Sequence, residues 1–382
     1  MKLFDVYPLF NINPVKAQGA YIWDDKGNQY LDLYGGHAVI SIGHSHPHYL
    51  KRVKSQLDEI GFYSNAVQMP IQQELAGKLG KMSGYDSYNL FLCNSGTEAN
   101  ENALKLASFH TGRKKVIAFK DSFHGRTSLS LGVTDDATLS ARINKDHEII
   151  FVELNNRKQF LEAMDNEVCA VIVEGIQGVG GIQIPSVSFL KTVQQACEKE
   201  GAIFIMDEIQ SGYGRSGKFF AHQFAEVEPH IITVAKGMGN GFPVAGVLIH
   251  PKIKANHGML GTTFGGNYLA CASSLAVLEV MEEEHLIQNA ESIGNYLMES
   301  LKQIEGIKEV RGKGLMIGIE TFASASASAI RKQLLEENRI FTGYSSSKNT
   351  IRLLPPLNLK KEEADIFLKA FQNILRKQLQ TT

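Results

Sequence analysis

Seven short apolar runs, rich in β-branched residues, recur between residues 88 and 250 and constrain the fold more than any other feature. They span residues 88–93, 115–120, 148–152, 170–174, 202–206, 231–234 and 244–249. Helical patterns, such as residues 98–110 and 188–200, separate several of these runs. Strands that alternate with helices predict an α/β fold with a mostly parallel seven-stranded sheet covered on both faces. Only a short glycine-rich link joins the last two runs, so an antiparallel or edge strand is possible there.

The rest of the chain predicts a division into three parts. Residues 1–45 form an N-terminal segment that includes a hairpin over 21–32, and we expect this segment to pack with the smaller domain. Residues 46–265 form the large α/β domain. Residues 266–382 form a linker helix and a small α+β domain, with short strands at 314–320 and 350–354 and an amphipathic helix at 361–379. The low-complexity run 323–329 is interpreted as a loop and helix cap.

Composition excludes several classes of function. The net charge is -1 and no long basic run occurs, which argues against a nucleic-acid partner. No stretch approaches the length of a membrane span, and the N-terminus lacks the apolar core of a signal peptide. The four cysteines are far apart and form no CxxC pair, so no disulfide framework is predicted. We therefore expect a soluble, cytoplasmic protein.

Four histidines cluster near the N-terminus and raise the question of a metal site. His37, His44, His46 and His48 lie close together, but the last three alternate in a turn before a helix. No carboxylate or cysteine stands at ligand spacing from them. The sequence therefore predicts no metal centre.

A lysine and an acid each stand at the end of a predicted buried strand. Lys236 follows the run 231–234 after Ala235 and opens a glycine-dense stretch, and Asp207 directly follows the run 202–206. The carboxyl ends of strands are where open α/β sheets carry their chemistry. A lysine amine forms a Schiff base with an aldehyde, and an acid facing a pyridinium nitrogen completes a pyridoxal-phosphate site. The alternative is a solvated lysine in a loop.

Two further loops follow predicted strands. In the segment 94–100, Ser95 and Thr97 stand in a small-residue turn before a helix, which suits a phosphate. An ordinary capping box between Ser95 and Glu98 explains the same pattern. In the segment 122–127, Phe123 could stack on a planar ring and Arg126 could bind a carboxylate. Taken alone, this loop is better explained by a buried phenylalanine beside a surface arginine.

The glycine-rich segments do not predict a nucleotide site. Residues 175–181 follow a mid-sheet strand but precede Ile182 and Pro185 rather than a helix, so they lack the context of a dinucleotide fingerprint. Lys236 precedes its glycines, whereas the lysine of a P-loop follows them.

Five motifs, in order along the chain, resemble those of the class III pyridoxal-phosphate aminotransferases. They occupy residues 94–100, 123–127, 207–212, 235–237 and 262–267. The likeness runs from residue 21 to about residue 357 and is greatest to acetylornithine and succinylornithine aminotransferases. The resemblance implies the type I fold of pyridoxal-phosphate enzymes, with a large domain and a smaller α+β domain.

The resemblance also assigns roles to individual residues. Lys236 would bind pyridoxal 5'-phosphate covalently and transfer the substrate proton, and Asp207 would pair with the pyridine nitrogen. The remaining cofactor contacts implied by the resemblance are Gly96, Thr97, Phe123, Glu208, Ile209, Gln210 and Thr263. Thr263 would reach the phosphate from a second subunit, which implies a homodimer with shared active sites.

The implied reaction moves the δ-amino group of an N-acylornithine, acetyl or succinyl, to 2-oxoglutarate. Arg126 would hold the α-carboxylate of the acylated ornithine, Arg352 that of glutamate or 2-oxoglutarate, and Thr262 would lie near the substrate. Three alternatives stay open: another ω-amino acid transaminase acting on ornithine or 4-aminobutyrate, a decarboxylase or racemase on the same scaffold, and a non-catalytic binding or regulatory member. Intact Lys236 and Asp207 argue against the last of these.

Three positions depart from the family pattern. Val179 stands where the family usually has an acid that masks the second arginine, Gly175 replaces a usual proline, and His37 replaces isoleucine or tyrosine. Because Arg352 would stay unmasked, we hypothesise a preference for an acyl group that ends in a carboxylate.

Overall fold

The computed structural model describes residues 1–322 and 326–380. Its strands are β1 Pro14–Gln18, β2 Tyr21–Asp24, β3 Gln29–Asp32, β4 Asn89–Cys93, β5 Lys115–Phe119, β6 Ile149–Val152, β7 Val168–Glu174, β8 Ile203–Asp207, β9 Ile231–Val234, β10 Ala245–Ile249, β11 Ile307–Lys313, β12 Met316–Thr321, β13 Ile340–Phe341 and β14 Thr350–Leu353. Its helices are α1 Gly35–Ala38, α2 Pro47–Glu59, α3 Pro70–Ser83, α4 Gly96–Thr111, α5 Ser128–Gly132, α6 Arg157–Ala163, α7 Val187–Glu200, α8 Tyr268–Glu283, α9 Leu286–Lys302, α10 Ala327–Asn338 and α11 Lys361–Gln380. Short 3₁₀ turns lie at Ala137–Leu139, Arg142–Asn144, Ala221–Phe224 and Lys236–Met238.

The predicted seven-stranded, mostly parallel sheet is confirmed. Its strand order is β4-β10-β9-β8-β7-β5-β6, and only β10 runs against the others, pairing antiparallel with both β9 and β4. The link between β9 and β10 is too short for a crossover helix, so β10 must return in the opposite direction. The other six strands therefore end at the same edge of the sheet.

Both faces of this sheet are covered, which explains why its strands are almost continuously apolar. Every residue of β7 and of β8 is buried. On one face, Ala170 and Ile172 pack with α4, whereas Val171 and Val173 pack with α7 on the other face. Side chains that alternate between two cores leave no polar face, as expected for a buried parallel sheet.

The expected N-terminal hairpin is present and joins the C-terminal part of the chain. β2 and β3 pair antiparallel, and the carboxylate of Asp24 closes their turn by accepting the N–H of Asn28 at 2.8 Å. β13 adds to this sheet parallel to β3. A separate antiparallel sheet follows the order β11-β12-β14, so the C-terminal region combines strands with helices.

Part of the low-complexity run lies outside the described residues, namely 323–325. Ser326, which follows them, accepts the N–H of Ala329 at 3.4 Å and caps α10. Across residues 1–322 and 326–380, no helix is both long enough and apolar enough to cross a bilayer.

Candidate active site

A cavity of about 420 Å³ opens at the edge where the parallel strands end. The predicted site residues that line it are Gly96, Thr97, Phe123, Arg126, Asp207, Ile209, Gln210 and Lys236. They come from the loops after β4, β5, β8 and β9, which are distant in sequence. The common direction of these four strands brings the loops together.

Lys236 lies directly after β9, separated from it only by Ala235. Its backbone is left-handed, with φ at 47°, which is unusual for a residue other than glycine and is typical of functional positions. Burial lowers the pKa of the Lys236 amine, and Arg352 lowers it further, while Asp207 and Glu174 act in the opposite direction. The amine is therefore easier to deprotonate than an exposed lysine, as a nucleophile requires.

Asp207 ends β8 and is held as an oriented carboxylate. Its Oδ2 accepts His124 Nδ1 at 2.7 Å and Asn100 Nδ2 at 2.8 Å, and its Oδ1 accepts the N–H of Ile209 at 3.0 Å. Asp207 is only 4% exposed, and no lysine or arginine among the described residues forms an ion pair with it. Its negative charge is thus available to a cationic group in the cavity.

Sequence reasoning missed Asn100, which supports this carboxylate. Asn100 is fully buried within α4, where its Oδ1 accepts Thr233 Oγ1 at 2.8 Å and its Nδ2 also donates to the carbonyl of His124. A signal was present, because Asn100 adjoins Ala99 and precedes Ala103 on an apolar helix face. A buried amide at such a position needs polar partners.

The start of α4 combines the two interpretations of this segment. Ser95 caps the helix, with its Oγ accepting the N–H of Glu98 at 3.3 Å and donating to Glu98 Oε2 at 3.0 Å, but the Glu98 carboxylate accepts the N–H of Asn94 rather than that of Ser95, so the capping box is only half formed. Gly96 and Thr97 then face the cavity in the first helical turn, where backbone N–H groups lack intrahelical partners. A Cβ at Gly96 would lie 2.9 Å from Cδ1 of Ile209, so any larger residue would have to displace that side chain. A phosphate suits this helix start.

Glu174 at the end of β7 links two loops of the cavity. Its Oε1 accepts the N–H of Phe123 and its Oε2 accepts the N–H of Gly178, both at 3.0 Å. Burial raises the pKa of Glu174 to about 7, and Asp207 raises it too, against an opposing effect of His124. Glu174 thereby fixes the backbone of the aromatic residue predicted to stack on a ring.

Arg352 lies on β14, 1% exposed, and its hydrogen-bond partners among the described residues are neutral. Its Nη1 donates to Gln210 Oε1 at 3.2 Å, and its Nε donates to the carbonyl of Tyr344. No carboxylate of residues 1–322 or 326–380 forms an ion pair with it. Val179 anchors the neighbouring loop, because its carbonyl accepts both the N–H and the hydroxyl of Ser346. Val179 itself offers no carboxylate from this loop.

Four predicted residues stand outside the cavity lining, namely Arg352, Glu208, Thr262 and Thr263. Glu208 is turned away, because its carboxylate accepts His222 Nδ1 at 2.8 Å and Ser211 Oγ at 2.6 Å. We therefore revise its role from cofactor contact to support of the loop after β8. Thr262 Oγ1 accepts Asn94 Nδ2 at 3.1 Å beside the cavity, and Thr263 is exposed.

His37 lies in an unusual turn near this site. Gly35, Gly36, His37 and Ala38 have φ values of 56°, 54°, 68° and 64°, so α1 is a left-handed turn. Non-glycine residues adopt this conformation at a cost. The imidazole of His37 contacts the hydroxyl of Tyr34, and the backbone carbonyl of His37 accepts Gln210 Nε2 at 3.4 Å.

The other clustered histidines each have a carboxylate partner. His44 lies 2.9 Å from Asp32, and His46 and His48 contact the α8 region at 2.9 Å and 2.6 Å through two different glutamates. Within the part of the chain that the structure describes, no group of three potential ligands could hold a metal ion.

The cavity fits pyridoxal phosphate on its own chemistry. The lining includes a glycine-containing helix start for a phosphate and a buried carboxylate, Asp207, that has no lysine or arginine partner among the described residues. Lys236 supplies an amine of lowered pKa, and Phe123 supplies an aromatic ring. A phosphorylated pyridine aldehyde has a partner for each of these groups: its phosphate for the helix start, its ring nitrogen for Asp207, its aldehyde for Lys236 and its ring for Phe123.

Comparison with known proteins agrees with this chemistry. The family aminotransferase class III matches residues 5–375. The chain is 39% identical to an acetylornithine aminotransferase of Bacillus cereus over 370 residues, covering 95% of this chain and 94% of the relative. It is 40% identical over 357 residues to that of Archaeoglobus fulgidus, covering 92% of each chain.

A solved structure extends the likeness to the whole fold. The ornithine aminotransferase of Toxoplasma gondii superposes with a TM-score of 0.92 at 26% identity, covering 100% of this chain and 94% of that one. A second structure of that enzyme, described with partial occupancy of pyridoxal phosphate at its active site, has a TM-score of 0.90 at 27% identity, covering 98% of this chain and 93% of that one. The chain belongs to the class III aminotransferases and is a pyridoxal-phosphate-dependent transaminase of fold type I.

Proposed function

We propose that this enzyme transfers the δ-amino group of an N-acylornithine to 2-oxoglutarate, giving the semialdehyde and glutamate, in arginine biosynthesis. The observation that carries the proposal is the cavity around Lys236 together with two nearby arginines, Arg126 in its lining and Arg352 bonded to the lining residue Gln210. Neither arginine forms an ion pair with a carboxylate of the described residues. A transaminase binds two carboxylate substrates in turn, and arginine suits each of them. Relatives named acetylornithine aminotransferase, at 38–40% identity, support the acylated substrate.

Each residue would contribute one task. Pyridoxal phosphate, when bound, supplies a sink for the electrons of the substrate carbanion. Lys236 would hold the cofactor through Nζ, and the amine, once released, would accept and return the substrate proton. Asp207 would keep the pyridine nitrogen protonated, and Gln210 would orient the ring hydroxyl.

The remaining site residues would bind rather than react. Gly96 and Thr97 would hold the phosphate at the start of α4, Ile209 would contact the ring, and Phe123 would stack on it. Arg126 would hold the α-carboxylate of the acylornithine, with Thr262 nearby.

A panel of amino donors with 2-oxoglutarate as acceptor tests this function. We expect glutamate to form from N-acetyl- and N-succinylornithine with kcat/KM at least about tenfold higher than from ornithine or 4-aminobutyrate, a difference of ~1.4 kcal/mol. Higher activity with unacylated ornithine would instead assign the enzyme to the ω-amino acid transaminases.

We further infer that the preferred acyl group ends in a carboxylate, as succinyl does. The inference rests on Arg352, whose partners are the neutral oxygens of Gln210 and Tyr344, and on Val179, which offers no competing acid. His37 stands exposed at the same end of the site. A second carboxylate on the substrate would therefore meet an uncompensated positive charge.

The ratio of kcat/KM for N-succinyl- and N-acetylornithine tests this preference. We expect the ratio to exceed about tenfold in the native enzyme, because a charge-assisted pair contributes roughly 1.5–3 kcal/mol. Val179→Glu should shift the ratio towards acetyl by placing an acid beside Arg352, whereas Val179→Gln, of matched size, should shift it less. Equal values for the two substrates in the native enzyme would refute the preference.

We infer that the enzyme acts as a homodimer with shared sites. Support comes from an exposed apolar face formed by Leu57, Ile60, Phe62, Tyr63, Val67 and Phe264, which are 37–61% exposed. Phe62 and Phe264 pack at 5.5 Å between ring centroids, next to Thr262 and Thr263. A patch of this kind suits a subunit contact.

Complementation between two defective variants tests the shared site. Thr263→Ala and Lys236→Ala homodimers should each be impaired or inactive. If Thr263 acts across the interface, a heterodimer contains one site with both residues intact, so coexpression should restore activity to about half the native level per mixed dimer. No gain over Thr263→Ala alone would place the threonine outside the partner's site.

We also infer the three-part division at residues 1–45, 46–265 and 266–382 and a cytoplasmic location. The three separate sheets support the division, although β13 ties the N-terminal hairpin to the C-terminal part. All four cysteines are buried and unpaired, which suits a reducing compartment.

A further inference from the structure

We propose that Glu101 is a positioning residue that holds both Arg126 and Thr97 in place for substrate and cofactor. The proposal rests on the function proposed above, which assigns the substrate carboxylate to Arg126 and the phosphate to Thr97. Glu101 itself does not line the cavity. It lies on α4, one turn beyond the helix start that forms the phosphate cradle.

A single oxygen of Glu101 receives three hydrogen bonds from the loop that follows Arg126. Glu101 Oε1 accepts Thr127 Oγ1 at 2.8 Å, the N–H of Leu129 at 2.8 Å and the N–H of Ser130 at 3.0 Å. Three donors converging on one carboxylate oxygen form a strong, oriented contact. The contact joins α4 to the short helix α5 across 26–29 residues of chain.

Glu101 takes the place of the missing N-cap of α5. Thr127 is the N-cap residue, yet its own side chain caps no backbone N–H. Leu129 and Ser130 are the second and third helical residues, and their N–H groups are those that an N-cap side chain ordinarily satisfies. A carboxylate from a neighbouring helix satisfies them here and places a negative charge at the helix start.

Arg126 depends on this anchor because its side chain has none of its own. It is exposed and forms no hydrogen bond or ion pair with any residue that the structure describes. On its N-terminal side, Gly125 has φ at 146°, and a Cβ there would lie 2.3 Å from Thr97 Oγ1. On its C-terminal side, Thr127 is held by Glu101. The backbone on both sides therefore determines where the guanidinium can reach.

The same contact orders a chain of hydroxyl groups that ends at the cofactor cradle. An ionised carboxylate only accepts hydrogen bonds, so the proton of Thr127 Oγ1 points to Glu101. Thr97 Oγ1 lies 2.7 Å from Thr127 Oγ1 and 2.5 Å from Ser130 Oγ. Thr127 Oγ1 is then left only to accept, from Thr97 or from Ser130 Oγ at 3.1 Å, so Glu101 restricts the orientation of this hydroxyl cluster beside the phosphate position.

Amide hydrogen exchange with mass spectrometry tests the anchor without relying on catalysis. In Glu101→Ala we expect peptides covering residues 125–132 to exchange faster than in the native holoenzyme, and pyridoxal phosphate to dissociate more readily. Glu101→Gln keeps an acceptor oxygen, so its exchange and cofactor dissociation rates should lie between those of Glu101→Ala and the native enzyme. It replaces Glu101→Ala in the test if the alanine variant folds poorly. Lys105→Ala, an exposed change one turn further along α4, should leave both measurements unchanged.

Kinetics of the two half-reactions then separate positioning from general destabilisation. In Glu101→Ala, kcat/KM for the acylornithine should fall about tenfold or more, because misplacing a binding group by about 1 Å costs up to about 10²-fold. The value for 2-oxoglutarate, which would use Arg352, should change less than about threefold. Unchanged exchange at residues 125–132, or equal losses in both half-reactions, would overturn the proposal. Absence of acylornithine turnover in the native enzyme would refute the proposed function instead, while the exchange result would still decide whether Glu101 anchors the loop.

Discussion

Lys236→Ala is expected to lower turnover by about 10³-fold or more with every amino donor. The variant removes both the amine that holds the cofactor and the base that moves the substrate proton, and proton transfer alone contributes about 10²–10⁴-fold. The left-handed backbone at position 236 costs about the same for alanine as for lysine, so the substitution should not change the backbone strain there. Steady-state formation of glutamate from 2-oxoglutarate measures the effect.

Chemical rescue makes this prediction specific. A small primary amine such as methylamine should restore part of the activity of Lys236→Ala, because it replaces the missing Nζ. Lys114→Ala, an exposed change with a side chain 78% accessible, should retain native turnover. Turnover of Lys236→Ala above about one tenth of the native value would contradict the catalytic assignment, since a single lost proton-transfer group costs more than that.

Asp207→Asn is expected to have the second largest effect, lowering kcat by about 10²–10³-fold with little change in KM. The variant keeps the shape of the side chain but removes the negative charge that would keep the pyridine nitrogen protonated. Preorganised electrostatic contacts of this kind contribute roughly 2.7–4 kcal/mol to rate. Because the loss affects the electron sink rather than substrate binding, it should be found in kcat.

Folding must be measured alongside, because Asp207 also supports neighbouring groups. Its two oxygens accept hydrogen bonds from three donors. In the asparagine variant, an NH₂ group would replace one oxygen. That NH₂ group would then face either the N–H of Ile209 or the donors of His124 and Asn100, and could accept from none of them. A lost buried hydrogen bond costs about 1–3 kcal/mol of stability. Thermal unfolding separates that cost from the kinetic one, and Asp146→Asn, at an exposed position, controls for removal of an acid. A kcat within about threefold of native would exclude Asp207 from catalysis, since loss of such a contact costs far more.

Local pattern was sufficient for the seven strands of the large sheet and their alternation with helices, and it left β10 open as an antiparallel or an edge strand. These features depend on burial along a few residues and on the length of a link, both of which are read from neighbouring positions. The strand-end residues Lys236 and Asp207 follow from the same logic, because parallel strands end at one edge. The family motifs then supplied roles that spacing could not.

Only the tertiary structure shows which side chains far apart in sequence contact one another. Arg352 donates to Gln210 across 142 residues, and Asn100 supports Asp207 across 107 residues. Glu208 adjoins Asp207 in sequence, yet its carboxylate points into a separate buried network. Direction of a side chain depends on packing and on the partners available to a buried polar group, which no local pattern encodes.

The sequence by itself thus determined which residue types stand at the ends of the strands, because strand formation and burial are local properties of the chain. The tertiary structure decided that Arg352 has no acidic partner among the described residues, and that Glu101 caps α5 next to Arg126. Both depend on contacts between elements far apart in sequence. Such contacts form only when the whole chain packs, since each buried polar group must then find its partner in the space that packing leaves.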